Sequence, residues 1–199
     1  MGTVLQEESV VLICQRAMAL AEFDYQLDSL QDGSQVARQS IARYDFRRRG
    51  ILERLDWAFA RTRINGQSVP AAVAPPDLPS AWARPPRALR IRAVWSEGRT
   101  LRYRAEANLF TEEASAVQIV YTSEADNPAL FPPIFTTALE YFLAADFSML
   151  FARSINRQEV MLQLMQGALE EADQMEAFET PGGLAFGDDP WTDVMAEGF

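Results

Sequence analysis

The chain has 199 residues, 48% hydrophobic and 23% charged, the balance of a soluble globular protein long enough for one good core or two small ones. It contains no His; all 18 basic residues are Arg, and 28 acidic ones bring the net charge to −10. That composition excludes Ser–His and Cys–His nucleophile pairs and a P-loop lysine, and the single Cys14 leaves a zinc site without nitrogen or sulfur ligands.

In chain order, residues near 6–30 read as a helix, with Val10, Ile13, Ala17, Leu20 and Ala21 at helical spacing and Phe23, Leu27 and Leu30 continuing the pattern beyond a break. The run Val10 to Cys14 is too short, and follows Glu7 and Glu8, so it is not a secretory signal; Gln6 breaks the myristoylation pattern. Cys14 forms no intrachain disulfide and suits a reducing cytosol. Asp32-Gly33 predicts a turn and Ser34 an N-cap. A second helix follows, with Ala37, Ile41, Tyr44, Arg48, Ile51 and Leu55 as its packing seam and Trp57 and Phe59 closing its end. Gly50 within it predicts a kink or a close helix approach.

Pro70, Pro75, Pro76, Pro79, Pro85 and Pro86 make 65–87 an extended connector. Three alternating segments then predict one antiparallel β meander: Leu89 to Trp95, Leu101 to Ala105, and Val117 to Tyr121. Its polar face carries Arg90, Arg92, Arg102 and Arg104 as an arginine grid. Pro132 and Pro133 open a third helix, Ile134 to Ala152, apolar nearly all round and therefore central in the core or covered by a second surface. Glu140 and Asp146 rule it out as a membrane span. Asn156 with Glu159 predicts a capping box for a fourth helix. Its stripe is Val160, Leu164, Ala168, Ala172 and Met175, and it ends near Phe178. Leu184 to Phe199 reads as a flexible acidic tail whose Phe186, Trp191, Met195 and Phe199 need a groove elsewhere.

The fold class is α+β, mainly α: a bundle of about four helices with a short antiparallel meander inserted between the second and third long helices. The expected organisation is a helical domain from 1–64 and 130–178, a connector and meander at 65–129, and a tail at 179–199. Charge is uneven: 1–37 carries −5, 38–104 carries +10, 105–157 carries −5 and 158–199 carries −10. Either the basic part meets a neighbour's acidic part, or the segments pair within one subunit. On the first reading Arg47, Arg48 and Arg49, with the four meander arginines, are partner-binding residues, and changing Arg47, Arg48 and Arg49 to Gln weakens assembly more than folding. No spacing of carboxylates singles out a catalytic pair, so no enzyme activity, cofactor or metal is expected.

Several blocks carry a resemblance to a known family. They are Leu27 to Leu30 with Asp32 and Ala37, Leu55-Asp56-Trp57-Ala58-Phe59-Ala60, Leu78-Pro79, Val117 to Tyr121, Phe131-Pro132-Pro133-Ile134-Phe135, Ala138-Leu139 and Leu143-Ala144-Ala145. Together with the element order they resemble the tail tubular protein A family, the head-to-tail adaptors of T7-like short-tailed phages, over residues 5–178. The long proline-rich connector and the lack of Lys depart from the family. The resemblance implies a structural virion protein: a dodecameric ring between the portal protein and the tail nozzle protein, next to the tail fibres. It is assembled in the host cytoplasm, and duplex DNA passes through its bore without specific binding. The alternative is a small cytosolic protein that binds nucleic acid or a protein partner.

Overall fold

The computed structural model describes residues 2–70 and 74–179, with side chains described for 7–70 and 74–175. Four helices and two antiparallel sheets make it a mixed α+β protein: α1 (Gly2–Leu20), α2 (Gln35–Arg54), β1 (Arg61–Asn65), β2 (Ser80–Ala83), β3 (Ala88–Ser96), β4 (Arg99–Thr100), β5 (Tyr103–Ala105), β6 (Asn108–Thr111), β7 (Gln118–Ser123), α3 (Pro133–Leu150) and α4 (Ile155–Glu179).

The first helix stops earlier than its periodicity suggests. Glu22 takes a positive φ of 59°, and residues 23–29 run without regular structure. Leu27 is still fully buried, so the apolar spacing past the break records packing by an extended segment. Ser34 caps α2 as expected, its Oγ accepting from the Ala37 amide at 3.0 Å, while Asp32 accepts from the Ser34 amide and Gly33 turns at φ 73°. The seam of α2 holds at Ala37, Tyr44, Arg48 and Ile51, with Ser40 and Leu52 joining it, whereas Ile41 is exposed. Gly50 serves no close approach within the subunit, since a Cβ there would meet nothing within 4 Å.

The helix α3 lies at the centre, contacting α1, α2 and α4. Phe135, Ala138, Leu139, Leu143, Ala144 and Phe147 are fully buried, which explains its all-round apolar character. Trp57, Phe59 and Phe131 surround Phe135 with ring centroids 5.0, 5.1 and 4.7 Å away. The two aromatic blocks that carry the family resemblance, 55–60 and 131–135, thus meet in one cluster. The Nε1 of Trp57 donates to the Ile51 carbonyl at 3.0 Å and turns the chain out of α2.

Two expectations about α4 need correction. Ser154, not Asn156, caps the helix, its Oγ accepting from the Arg157 amide. The buried stripe is Met161, Met165, Ala168, Leu169 and Ala172; Val160, Leu164 and Met175 face outward.

The single meander is also corrected. The strands form two sheets, ordered β1-β7-β3-β4 and β2-β6-β5, and two of the strands, β1 and β2, fall in or beside the proline-rich stretch. In antiparallel pairs, directly opposite residues share a face. Ile64, Ile119 and Val94 are in register across the first sheet, and Trp82, Leu109 and Ala105 across the second. Trp82, Ile91, Val94, Leu101, Leu109, Val117, Ile119 and Tyr121 pack together as a second core, separate from the helical one. The sheets therefore pack face to face. The outer face of the second sheet, at Ala81 and Phe110, is covered by Leu78 with Val69 and Ala74 of the connector. Gly66 is required here, because a Cβ would sit 2.4 Å from the Val117 Cγ2.

Candidate interaction surfaces

The residues expected to form one arginine grid lie on opposite sides of the two packed sheets. Arg90 and Arg92 project from β3 toward the end of α2. Arg92 donates to the carbonyls of Leu52, Glu53 and Leu55 and to Thr122 Oγ1 (2.7 Å), and Arg90 to the Glu53 carbonyl (3.1 Å). These guanidinium groups satisfy carbonyls that the last turn of a helix leaves without intrahelical partners, at the end where its dipole favours cations. Burial lowers the pKa of Arg92, partly offset by Asp56 at 3.6 Å. Arg102 stands beside Asp77 and Glu112, and Arg104 on β5 is exposed.

The triplet Arg47-Arg48-Arg49 is largely absorbed by the subunit. Arg47 makes a bidentate pair with Asp146 on α3 (2.7 and 2.5 Å), and its guanidinium lies 3.9 Å from the centroid of the Phe142 ring. Arg48 is 3% exposed; it donates to the Ala125 carbonyl and pairs with Asp45 at 3.2 Å. Arg49 remains half exposed while pairing with Glu124 at 2.6 Å. Glu124 also receives Arg87 at 3.5 Å and lies 4.0 Å from Arg48, so one carboxylate just past β7 ties α2 to the residue before β3. Nine of the fifteen Arg between 38 and 104 ion-pair with carboxylates of the same chain. Four of their partners, Glu112, Glu124, Asp126 and Asp146, lie outside the basic segment, so part of its charge is met within the subunit, in the direction of the second of the two charge readings.

Two outward faces keep opposite charge. The α2 sequence holds six Arg and two acids, and its solvent side presents Arg38, Ala42, Arg43, Phe46 and Arg49, with Asp45 and Glu53 among them and Phe46 63% exposed. The α4 sequence holds six acids and one Arg; its solvent side presents Glu159, Glu170, Glu171 and Asp173 beside Val160 (45%) and Leu164 (43%). Periodicity alone had set Val160 and Leu164 in the core. What could have separated them is that Met161, Met165, Leu169 and Ala172 form a second, equally regular stripe one residue along.

Burial also shifts Cys14 and Glu140. Burial pushes the Cys14 thiol up to about 12, so it stays protonated and inert. Burial also raises Glu140, partly offset by Arg16 at 3.3 Å. Among the described residues no cluster of acids, His or Cys is placed to hold a metal ion, and no helix is long and apolar enough to cross a membrane. Phe186, Trp191, Met195 and Phe199 lie outside the described residues. Neither a family model nor any curated protein matches the sequence.

Proposed function

We propose that the chain is a structural head-to-tail adaptor of a short-tailed phage, working as one subunit of a ring between portal and tail nozzle. The observation that carries this reading is the pair of outward faces of opposite charge on two different helices, α2 and α4. A subunit built so can meet its own copies heterologously, and heterologous contacts generate rings when the rotation closes. The element order of two helices, a β portion and two helices agrees with the bundle and inserted β part that the resemblance implies. Phage DNA carries one negative charge per ~1.7 Å of duplex axis. A conduit for it must not grip it, which suits a subunit of net charge −10 whose arginines are mostly held by its own carboxylates and carbonyls.

The nucleic-acid-binding alternative needs a continuous basic face. Arg90 and Arg92 cap a helix, Arg104 sits on the far side of the packed sheets, and Arg48 is buried, so no such face forms among them. The adaptor reading is tested by complementation. Phage particles made without this chain should accumulate as DNA-filled, tailless heads, and adding the purified chain should restore nozzle attachment. Complete tails on particles lacking the chain would overturn it.

A further inference from the structure

We infer that the outward face of α2 in one copy docks on the outward face of α4 in the next, as the repeating contact of the ring. The inference rests on the adaptor reading for its setting and names the surfaces that reading leaves open.

Phe46 anchors the first face. It projects from the side of α2 opposite the buried seam, 63% exposed, with the Arg47 guanidinium 5.2 Å from its ring centroid. Ala42 precedes it and Gly50 follows it by four residues, so the three share one face. Arg43 and Arg49 flank that line, 41% and 51% exposed. Gly50 costs helix stability that the subunit does not recover, because open space surrounds the position of its Cβ.

The second face is complementary in both respects. Val160 and Leu164 are exposed apolar side chains, Gly167 is again surrounded by open space, and Glu171 lies four residues further on the same side. Glu159, Glu170, Glu171 and Asp173 form no ion pair among the described residues, whereas the outward side of α2 carries Arg38, Arg43, Arg49 and Arg54 against Asp45 and Glu53. Large exposed apolar side chains rimmed by unlike charge on two different helices fit each other better than either fits a copy of itself. Joining Phe46 and Gly50 to Leu164 and Gly167 buries the apolar line and brings Arg43 and Arg49 to the α4 helix with its carboxylates, leaving the α4 face of the first copy and the α2 face of the second free for further copies.

Gly50→Cys and Gly167→Cys test this directly, because both positions accept a side chain without displacing a neighbour and the native Cys14 is buried. The double variant, treated with a short bismaleimide at high protein concentration, should give a ladder of dimers, trimers and larger species. Either single variant should give no ladder, and a mixture of the two singles should stop at dimers. Adding Phe46→Asp to the double variant should cut the ladder about tenfold, with an unchanged far-UV spectrum and melting temperature showing that the fold is intact. Dimers from a single variant, or no ladder from the double variant, would overturn the assignment. A ring in virions with other faces in contact would refute this docking and leave the adaptor reading standing; a ladder from a chain absent from virions would do the reverse.

Discussion

Asp146 on α3 is 8% exposed and is held by Arg47 in two short hydrogen bonds, with Arg43 a further 3.9 Å away. Removing one partner of a buried pair leaves an uncompensated charge, so Arg47→Gln is expected to cost about 2 kcal/mol of stability. Arg49→Gln, at a half-exposed pair, is expected to cost under about 1 kcal/mol. Urea titrations of the two variants check the difference; equal losses would show that Arg47 is not a fold residue. This reverses, for Arg47, the sequence expectation that the triplet matters more for assembly than for folding. Tyr44 is also buried, but its hydroxyl has no partner among the described residues. Tyr44→Phe should therefore stabilise the protein, by about 1 kcal/mol, and a lower urea midpoint would contradict that. Glu140 gives a pH-dependent case. Burial raises its pKa above the ordinary 4.5, so the folded state binds its proton more readily than the unfolded one. Its contribution to stability then falls as pH rises through the interval from 4.5 to the raised value. Glu140→Gln removes that penalty at the loss of a pair with Arg16, which is 57% exposed and worth little. The variant's melting temperature relative to the parent should become more favourable between pH 4 and pH 7. A relative change in the opposite direction would show that the Arg16 pair outweighs desolvation.

At the scale of elements, some local signals were legible, though not the cap of α4, and the long-range ones were not. The Ser34 cap, the turn at Asp32-Gly33 and the central place of α3 follow from short-range chemistry and from an apolar run that no single stripe can hold. The strand pairings do not. β1 finds β7 across more than fifty residues and β2 finds β6 across nearly thirty, and both β1 and β2 are four or five residues long beside prolines. In α4 two interleaved stripes fit helical spacing equally well, and only packing against α3 selects Met161, Met165 and Leu169 for the core. A direct check is to place the same charge on each stripe. Met165→Glu puts a carboxylate into the helical core and should cost at least about 3 kcal/mol, while Leu164→Glu should change stability by less than about 0.5 kcal/mol. Comparable losses in thermal melts would mean that α4 is rotated from the orientation described.

At the scale of the molecule, a helical core and a smaller sheet core are fastened where α2 ends. Arg90 and Arg92 close its last turn, and Glu124 gathers Arg48, Arg49 and Arg87 beside it. The chain thus engages many of its arginines with its own carboxylates and carbonyls, while others, among them Arg63, Arg84 and Arg104, stay exposed on the sheet region. The sequence showed the uneven charge but not its internal pairing, because Asp146 lies about a hundred residues from Arg47, and Glu124 about seventy-five from Arg49. The acidic C-terminal segment, with the four large apolar residues that the sequence marks as candidate anchors, is the part whose role rests on the sequence alone. The account's central claim, that this chain is a ring subunit between portal and nozzle, is tested most directly by an electron cryomicroscopy reconstruction of the virion that carries it. The account predicts a closed ring of copies beneath the portal, with α2 of each copy against α4 of the next and duplex density passing through the bore. A virion map in which the chain occurs as isolated copies, or not at all between portal and nozzle, would contradict it.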